Sequence, residues 1–155
     1  WDKATPFIKQ LYFIKESGIS PWACFTHACH ETAFFSKTIG SHNYFGVKTP
    51  NKWTGQVVTI LTHEYIDGNK TKGYAKFADW DTLEESLVYY ANLIKRLYPN
   101  SLKCSPCAHC FFDGLVNGQF KWATDPLYAK KLRDLYELLR KEDKVSQCFK
   151  ENLVQ

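Results

Sequence analysis

The chain has 155 residues, 45% of them hydrophobic and 23% charged, ordinary proportions for one soluble globular domain with a core of its own. A formal net charge of +4 suits an acidic polymer, but the charges are scattered, with no dense Lys/Arg run or nucleic-acid motif, so a nucleic-acid partner is excluded. No apolar run is long enough to span a bilayer, so membrane insertion is not expected either.

Aromatic residues reach 16%, a surplus that serves either as core filling or as platforms for sugar rings. The chain starts at Trp1 and contains no Met, so it is read as a processed or excised piece from which any signal peptide has gone. Its even set of six cysteines, in so small a domain, points to an oxidising compartment, periplasmic or extracellular.

In chain order, Thr5-Pro6 opens a first helix whose apolar positions Phe7, Ile8, Leu11, Tyr12 and Ile14 follow helical spacing, and Gly18 fits its stop. Ser20 caps a second helix with Pro21 at its first position, and this helix is expected to run through Glu31 to about Phe35. Residues 36–54 read as loop. From Gln56 to Ile66 β-branched residues nearly alternate, Asp67-Gly68 is a hairpin turn signal, and Tyr74 to Trp80 is the returning strand. Asp81 with Glu84 three residues on has the form of a capping box for a helix that lines up Leu83, Leu87, Tyr90, Ala91, Ile94 and Leu97. Residues 98–110 read as a loop carrying three cysteines. Thr124-Asp125-Pro126 starts the last long helix, with Tyr128, Leu132, Leu135, Tyr136 and Leu139 inward. The expected architecture is α+β: a mainly helical body, a small β-hairpin lobe and a groove between them, all in a single domain over residues 1–155.

Two carboxylates draw attention. Glu31 sits near the end of the second helix among Ala28, Cys29, Ala33, Phe34 and Phe35; apolar neighbours raise a carboxyl's pKa and keep it able to donate a proton, as a glycosidase acid must. Glu64 lies in the hairpin, where a second carboxylate could activate water or stabilise an oxocarbenium-like transition state. Either residue read alone is more readily an exposed surface glutamate. Zinc-peptidase chemistry fails on spacing: after His30-Glu31 the second histidine position holds Phe34, and after His63-Glu64 it holds Asp67. Cys104, Cys107 and Cys110, with Cys148, read as disulfide partners ahead of a four-thiolate zinc site. Cys24 and Cys29 are about 7.5 Å apart along a helix axis and about 140° apart around it, too far to bond to each other. Each is expected to pair elsewhere, with the 104–110 loop or with Cys148. No metal or cofactor is expected.

Five segments stand out in chain order: Gly18-Ile19-Ser20-Pro21 through Ala28-Cys29-His30-Glu31-Thr32, then Asn43-Tyr44-Phe45-Gly46-Val47-Lys48, then Thr62-His63-Glu64-Tyr65 with Asp67-Gly68. Phe77-Ala78-Asp79-Trp80-Asp81 through Ser86 and Trp122-Ala123-Thr124-Asp125-Pro126-Leu127-Tyr128-Ala129 complete the set. Together, and in this order, they resemble glycoside hydrolase family 73, the glucosaminidase domains of bacterial autolysins and flagellar-rod-associated hydrolases. The resemblance implies a lysozyme-like fold and cleavage of β-1,4 bonds after N-acetylglucosamine in peptidoglycan glycan strands. It implies Glu31 as catalytic acid, Glu64 as second functional carboxylate, and sugar contacts at Tyr44, Trp122 and Tyr128, each of which has a plain alternative as core or loop packing. The chain departs from the family at His27, usually Gln; at Thr32, usually Ser; at Phe34-Phe35, usually Trp-Gly; and in the cysteine-bearing stretch 102–112.

The main expectation is an endo-acting N-acetylglucosaminidase, with substrate-assisted catalysis by the N-acetyl group as one possible route. Enzyme rivals are a muramidase or lytic transglycosylase on the same fold, and the non-enzyme rival is a glycan-binding or scaffolding module. Autolysin, phage lysin and antibacterial effector are all open as biological roles. An effector would imply a cognate inhibitor or immunity protein plugging the groove.

Overall fold

The computed structural model describes residues 2–153, at 64–66 the backbone only. Seven α-helices and one hairpin follow in order, with a short 3-10 helix (Pro99–Leu102) between the fourth and fifth: α1 (Ala4–Lys9), α2 (Tyr12–Glu16), α3 (Pro21–Thr32), β1 (Gln56–Ile66), β2 (Asn69–Asp79), α4 (Leu83–Leu97), α5 (Ala108–Asn117), α6 (Tyr128–Lys141) and α7 (Asp143–Leu153). The architecture is the expected one, a mainly helical body bearing a two-stranded antiparallel sheet.

Helix α3 is the axis of the body. Ser20 caps it, its hydroxyl accepting from the Ala23 N–H at 3.2 Å, with Pro21 at the first position as anticipated. Ala23 through Cys29 are all buried, so the helix has no solvent face along that stretch and is wrapped by its neighbours. Phe7 of α1, Phe25 of α3 and Phe35 pack ring against ring beside it, and Phe149 of α7 stacks on Trp22 at 3.8 Å.

The second helix ends earlier than expected. It closes at Thr32, and Ala33, Phe34 and Phe35 follow with φ of 49°, 59° and 66°. Three successive non-glycine residues in the left-handed region each cost about 1–2 kcal/mol. What holds them is Thr32, whose hydroxyl donates to the Ala28 carbonyl at 2.7 Å and accepts from the Phe35 N–H at 2.8 Å. The reversal swings Phe35 back into the core and leaves Glu31 in the last helical turn.

The hairpin is regular over its whole length, from Gln56 opposite Asp79 to Ile66 opposite Asn69. Asp67 and Gly68 both take positive φ, 53° and 80°, as a two-residue type I′ turn requires. Helix α4 is capped by Thr82, whose hydroxyl accepts from the Glu85 N–H, so the cap lies one residue beyond the Asp81–Glu84 pair. The first helix is two short ones, α1 and α2. The stretch expected as loop to Cys110 contains the start of α5, and α7 follows α6 where no helix was anticipated.

The cysteines also differ from expectation. Cys104 and Cys110 form a disulfide within their own loop, Cα atoms 6.1 Å apart, while Cys24 and Cys29 are buried free thiols, and Cys107 and Cys148 are also unpaired. Neither helical cysteine reaches the loop or Cys148, because both face into apolar packing around α3, where burial raises their thiol pKa.

Candidate active site

Glu31 is placed by two opposing demands. Its side chain keeps 22% of its surface exposed, enough for a substrate to reach, while burial pushes its carboxyl above the ordinary 4.5. Against burial act, in falling order, a hydrogen bond from Tyr128, the field of His30 and a hydrogen bond from Trp122. Its position in the final turn of α3 adds to the effect of burial, since the negative pole of a helix disfavours a carboxylate there.

Behind Glu31 runs a buried chain of polar groups in which every proton has one direction. The Tyr128 hydroxyl, from α6, donates to Glu31 Oε1 in a short hydrogen bond. That uses its only proton, so its 3.0 Å contact with His27 Nε2 is made with the imidazole as donor. A neutral His27 then has a bare Nδ1, which accepts from the Tyr90 hydroxyl of α4 at 2.7 Å. His27 is fully buried, and desolvation, followed by the field of His30, lowers its pKa from 6.5 to about 3, so it is neutral as this pattern demands. Trp122, half-buried, sets its ring edge-on to His27 at 4.5 Å. With Oε1 occupied as acceptor, a proton carried by Glu31 belongs on Oε2. Gly46 leaves room before that oxygen: a Cβ at Gly46 would lie 3.6 Å from it.

The loop that brings Gly46 there is built by two buried side chains. Asn43 donates to the Val47 and Ala78 carbonyls at 2.9 and 2.7 Å and accepts from the Phe45 and Val47 N–H groups, so all its polar capacity holds loop to strand. Asp79, at the base of β2, accepts from the backbone N–H groups of Ser41, His42 and Trp80 at 2.8–2.9 Å. Gly40 passes directly over its carboxylate, where any Cβ would collide, and takes a φ of 56°. Hairpin and loop are thereby fixed to one another beside Glu31. Among the described residues no group of three or more His, Cys, Asp or Glu side chains converges as a metal-ligand set.

Residues 11–141 match the glucosaminidase family model, described as mannosyl-glycoprotein endo-β-N-acetylglucosaminidase. The chain belongs to the glucosaminidase family. It is therefore a glycoside hydrolase domain, as the resemblance to family 73 implied. Peptidoglycan hydrolase FlgJ of Escherichia coli (strain K12) is 33% identical over 114 residues, which are 73% of this chain and 36% of that protein. The chain thus spans about a third of the length of such curated relatives. The C-terminally truncated glycoside hydrolase domain of Salmonella typhimurium FlgJ is 27% identical, with a TM-score of 0.70 over 90% of this chain and 99% of that one. The catalytic domain of the autolysin Auto from Listeria monocytogenes, 22% identical, shares the fold with a TM-score of 0.71 over 94% of this chain and 86% of that one.

Of the glucosaminidase residues expected from sequence, the structure brings Glu31, Tyr128 and Trp122 together. The hydroxyl of Tyr128 lies between Glu31 and His27, and its ring is buried. Tyr44 stands apart, half-buried with its ring edge-on to Phe7 at 5.1 Å and near Phe35 at 5.9 Å. Glu64 lies on β1 with its backbone opposite Thr71, and its side chain falls outside the described residues. Sequence reasoning missed His27 and Tyr90 as parts of the site. His27 was marked only as a departure from the family's Gln, and that substitution was the signal: both side chains can donate from one atom and accept at another.

Proposed function

We propose that this domain cleaves the β-1,4 bond after N-acetylglucosamine in the glycan strands of peptidoglycan, with Glu31 as the proton donor to the leaving oxygen. The observation that carries the reading is the Glu31 carboxyl itself: desolvated, at a helix's negative pole, and held through Oε1 by Tyr128 so that Oε2 is the donating atom. A carboxyl whose pKa is raised holds its proton to higher pH than an ordinary glutamate, as protonation of a glycosidic oxygen needs. The names of the curated relatives, peptidoglycan hydrolases, support the choice of polymer.

In this reading the substrate's scissile oxygen approaches Oε2 over Gly46, whose missing side chain leaves the passage open. Proton transfer relieves charge on the departing sugar while positive character grows on the anomeric carbon. Glu64, on the hairpin, is the second functional carboxylate, orienting water or stabilising that charge, and the N-acetyl carbonyl of the substrate is the internal nucleophile available for a substrate-assisted step. Tyr44 and Trp122 offer ring surface to the sugars; Tyr128 positions Glu31. Residues 1–155 act as a single domain on a wall exposed to the periplasm or the cell exterior. A role as an antibacterial enzyme restrained by an inhibitor seated over Glu31 fits the same site.

Digestion of purified peptidoglycan by the wild type and by Glu31→Gln, with products reduced and weighed by mass spectrometry, tests this. Products ending in reduced N-acetylglucosamine, absent with the variant, are expected. Ends in reduced N-acetylmuramic acid would move the enzyme to muramidase, and no release by folded wild type across several walls would refute the hydrolase reading.

A further inference from the structure

Outside the active site, the register of the hairpin sorts charge between its two faces. Residues directly opposite one another share a face, and alternate residues along a strand share it too. Leu61 pairs with Tyr74, His63 with Lys72 and Thr59 with Lys76, so one face collects Lys70, Lys72 and Lys76 with His63 around the Leu61–Tyr74 pair. No acidic residue occupies any position of that face, whereas Glu64 and Asp79 stand at positions of the other. The lysine face is open to solvent. Tyr74 is 77% exposed, Leu61 46%, and among the described residues none of the three lysines forms a salt bridge.

Lys70 and Lys72 are spaced about 7 Å apart along the strand, and Lys72 and Lys76 about 14 Å. A row of separate ammonium groups around an exposed aromatic ring fits a repeating polyanion that lies along the sheet, rather than one small anion in a pocket. We propose that this face binds the acidic stem peptides of peptidoglycan, holding the domain to the wall outside the catalytic site; the inference rests on the peptidoglycan reading above. Stem carboxylates recur along each glycan strand. The ammonium row meets them while Tyr74 and Leu61 cover apolar parts of the same stems.

The test compares the whole chain with Lys70→Gln/Lys72→Gln/Lys76→Gln, both carrying Glu31→Gln so that the wall stays intact. Each is sedimented with purified sacculi and with glycan strands from which an amidase has removed the stems, at low and high salt. The triple variant should bind sacculi about tenfold more weakly, as expected for the loss of three exposed ion pairs, and with a flatter salt dependence. Its binding to stripped strands should equal that of its parent. Undiminished binding to sacculi, an equal loss on stripped strands, or tighter binding of the parent to phosphatidylglycerol vesicles than to sacculi would each overturn the proposal. Hydrolysis by the chain with Glu31 intact is read separately. If it cleaves no wall, the glycosidase reading falls, and the sedimentation still decides the role of the hairpin face.

Discussion

Replacing His27 by Gln separates two contributions that the wild type combines, hydrogen bonding and titration. A Gln amide can donate to the Tyr128 hydroxyl and accept from Tyr90, as the neutral imidazole does, but it takes up no proton. In the fold His27 titrates near 3, far below its ordinary 6.5. A depressed value means that the folded state rejects the proton which the unfolded chain accepts. The associated stability is fully present above about pH 6.5 and is lost as the pH falls toward 3. At about 1.4 kcal/mol per pH unit, that interval is on the order of 5 kcal/mol, comparable with the whole stability of many domains. Urea unfolding of wild type and His27→Gln, run at intervals from neutral to acid pH, gives the difference directly, because every other titrating group is common to both. The two should be similar at pH 7, and the variant should become steadily more stable than the wild type below about pH 6.5. His27→Leu also abolishes the titration, but it leaves the buried Tyr90 hydroxyl without its acceptor and should be weaker than His27→Gln by about 1–3 kcal/mol at every pH. A difference between wild type and His27→Gln that stays flat from pH 7 to pH 4 would refute the buried, neutral imidazole and the one-way proton chain with it.

Tyr128→Phe removes the hydrogen bond that lowers the Glu31 pKa, so burial acts unopposed by it and the carboxyl keeps its proton to higher pH. The alkaline limb of kcat/KM should move up in pH while the rate falls about tenfold from lost positioning; a limb displaced to lower pH would contradict the assignment. Asp79→Ala leaves three backbone N–H groups of the loop and β2 without their acceptor. It should cost about 3 kcal/mol and lower Tm by about 10 °C, and a calorimetric shift of only a degree or two would show that the loop is held by other means. Gly46→Ala puts a side chain at a φ of 68° and 3.6 Å from the donating oxygen. It should slow hydrolysis more than it destabilises the fold, which parallel melting and turnover measurements would distinguish.

The parts of the fold legible in sequence were those with local causes. Ser20-Pro21 fixes the start of α3, and Asp67-Gly68 fixes both the hairpin and its register, because each acts through the backbone of its own neighbours. The end of α3 was not legible, since Ala33, Phe34 and Phe35 carry no helix-breaking signal and are turned by Thr32 and by the pull of Phe35 into the core. Helices α5 and α7 were missed for a similar reason: cysteines and prolines masked the first, and the brief break at Glu142 hid the second. Glu31 was found because segments flanking it matched a family in order. The chain from Tyr90 through His27 to Tyr128 joins α4, α3 and α6 across 63 and 101 residues of sequence, a distance no local pattern encodes.

The placement of the cysteines bears on where the polypeptide can acquire its shape. The bond between Cys104 and Cys110 closes a loop with a sequence separation of only 6 and so restrains little of the unfolded chain, about 2 kcal/mol by loop entropy. Cys24 and Cys29 contribute to the interior as small apolar groups, in their reduced form. The body therefore owes its cohesion to aromatic and aliphatic packing rather than to oxidation, and its folding should depend little on whether the surroundings are oxidising or reducing.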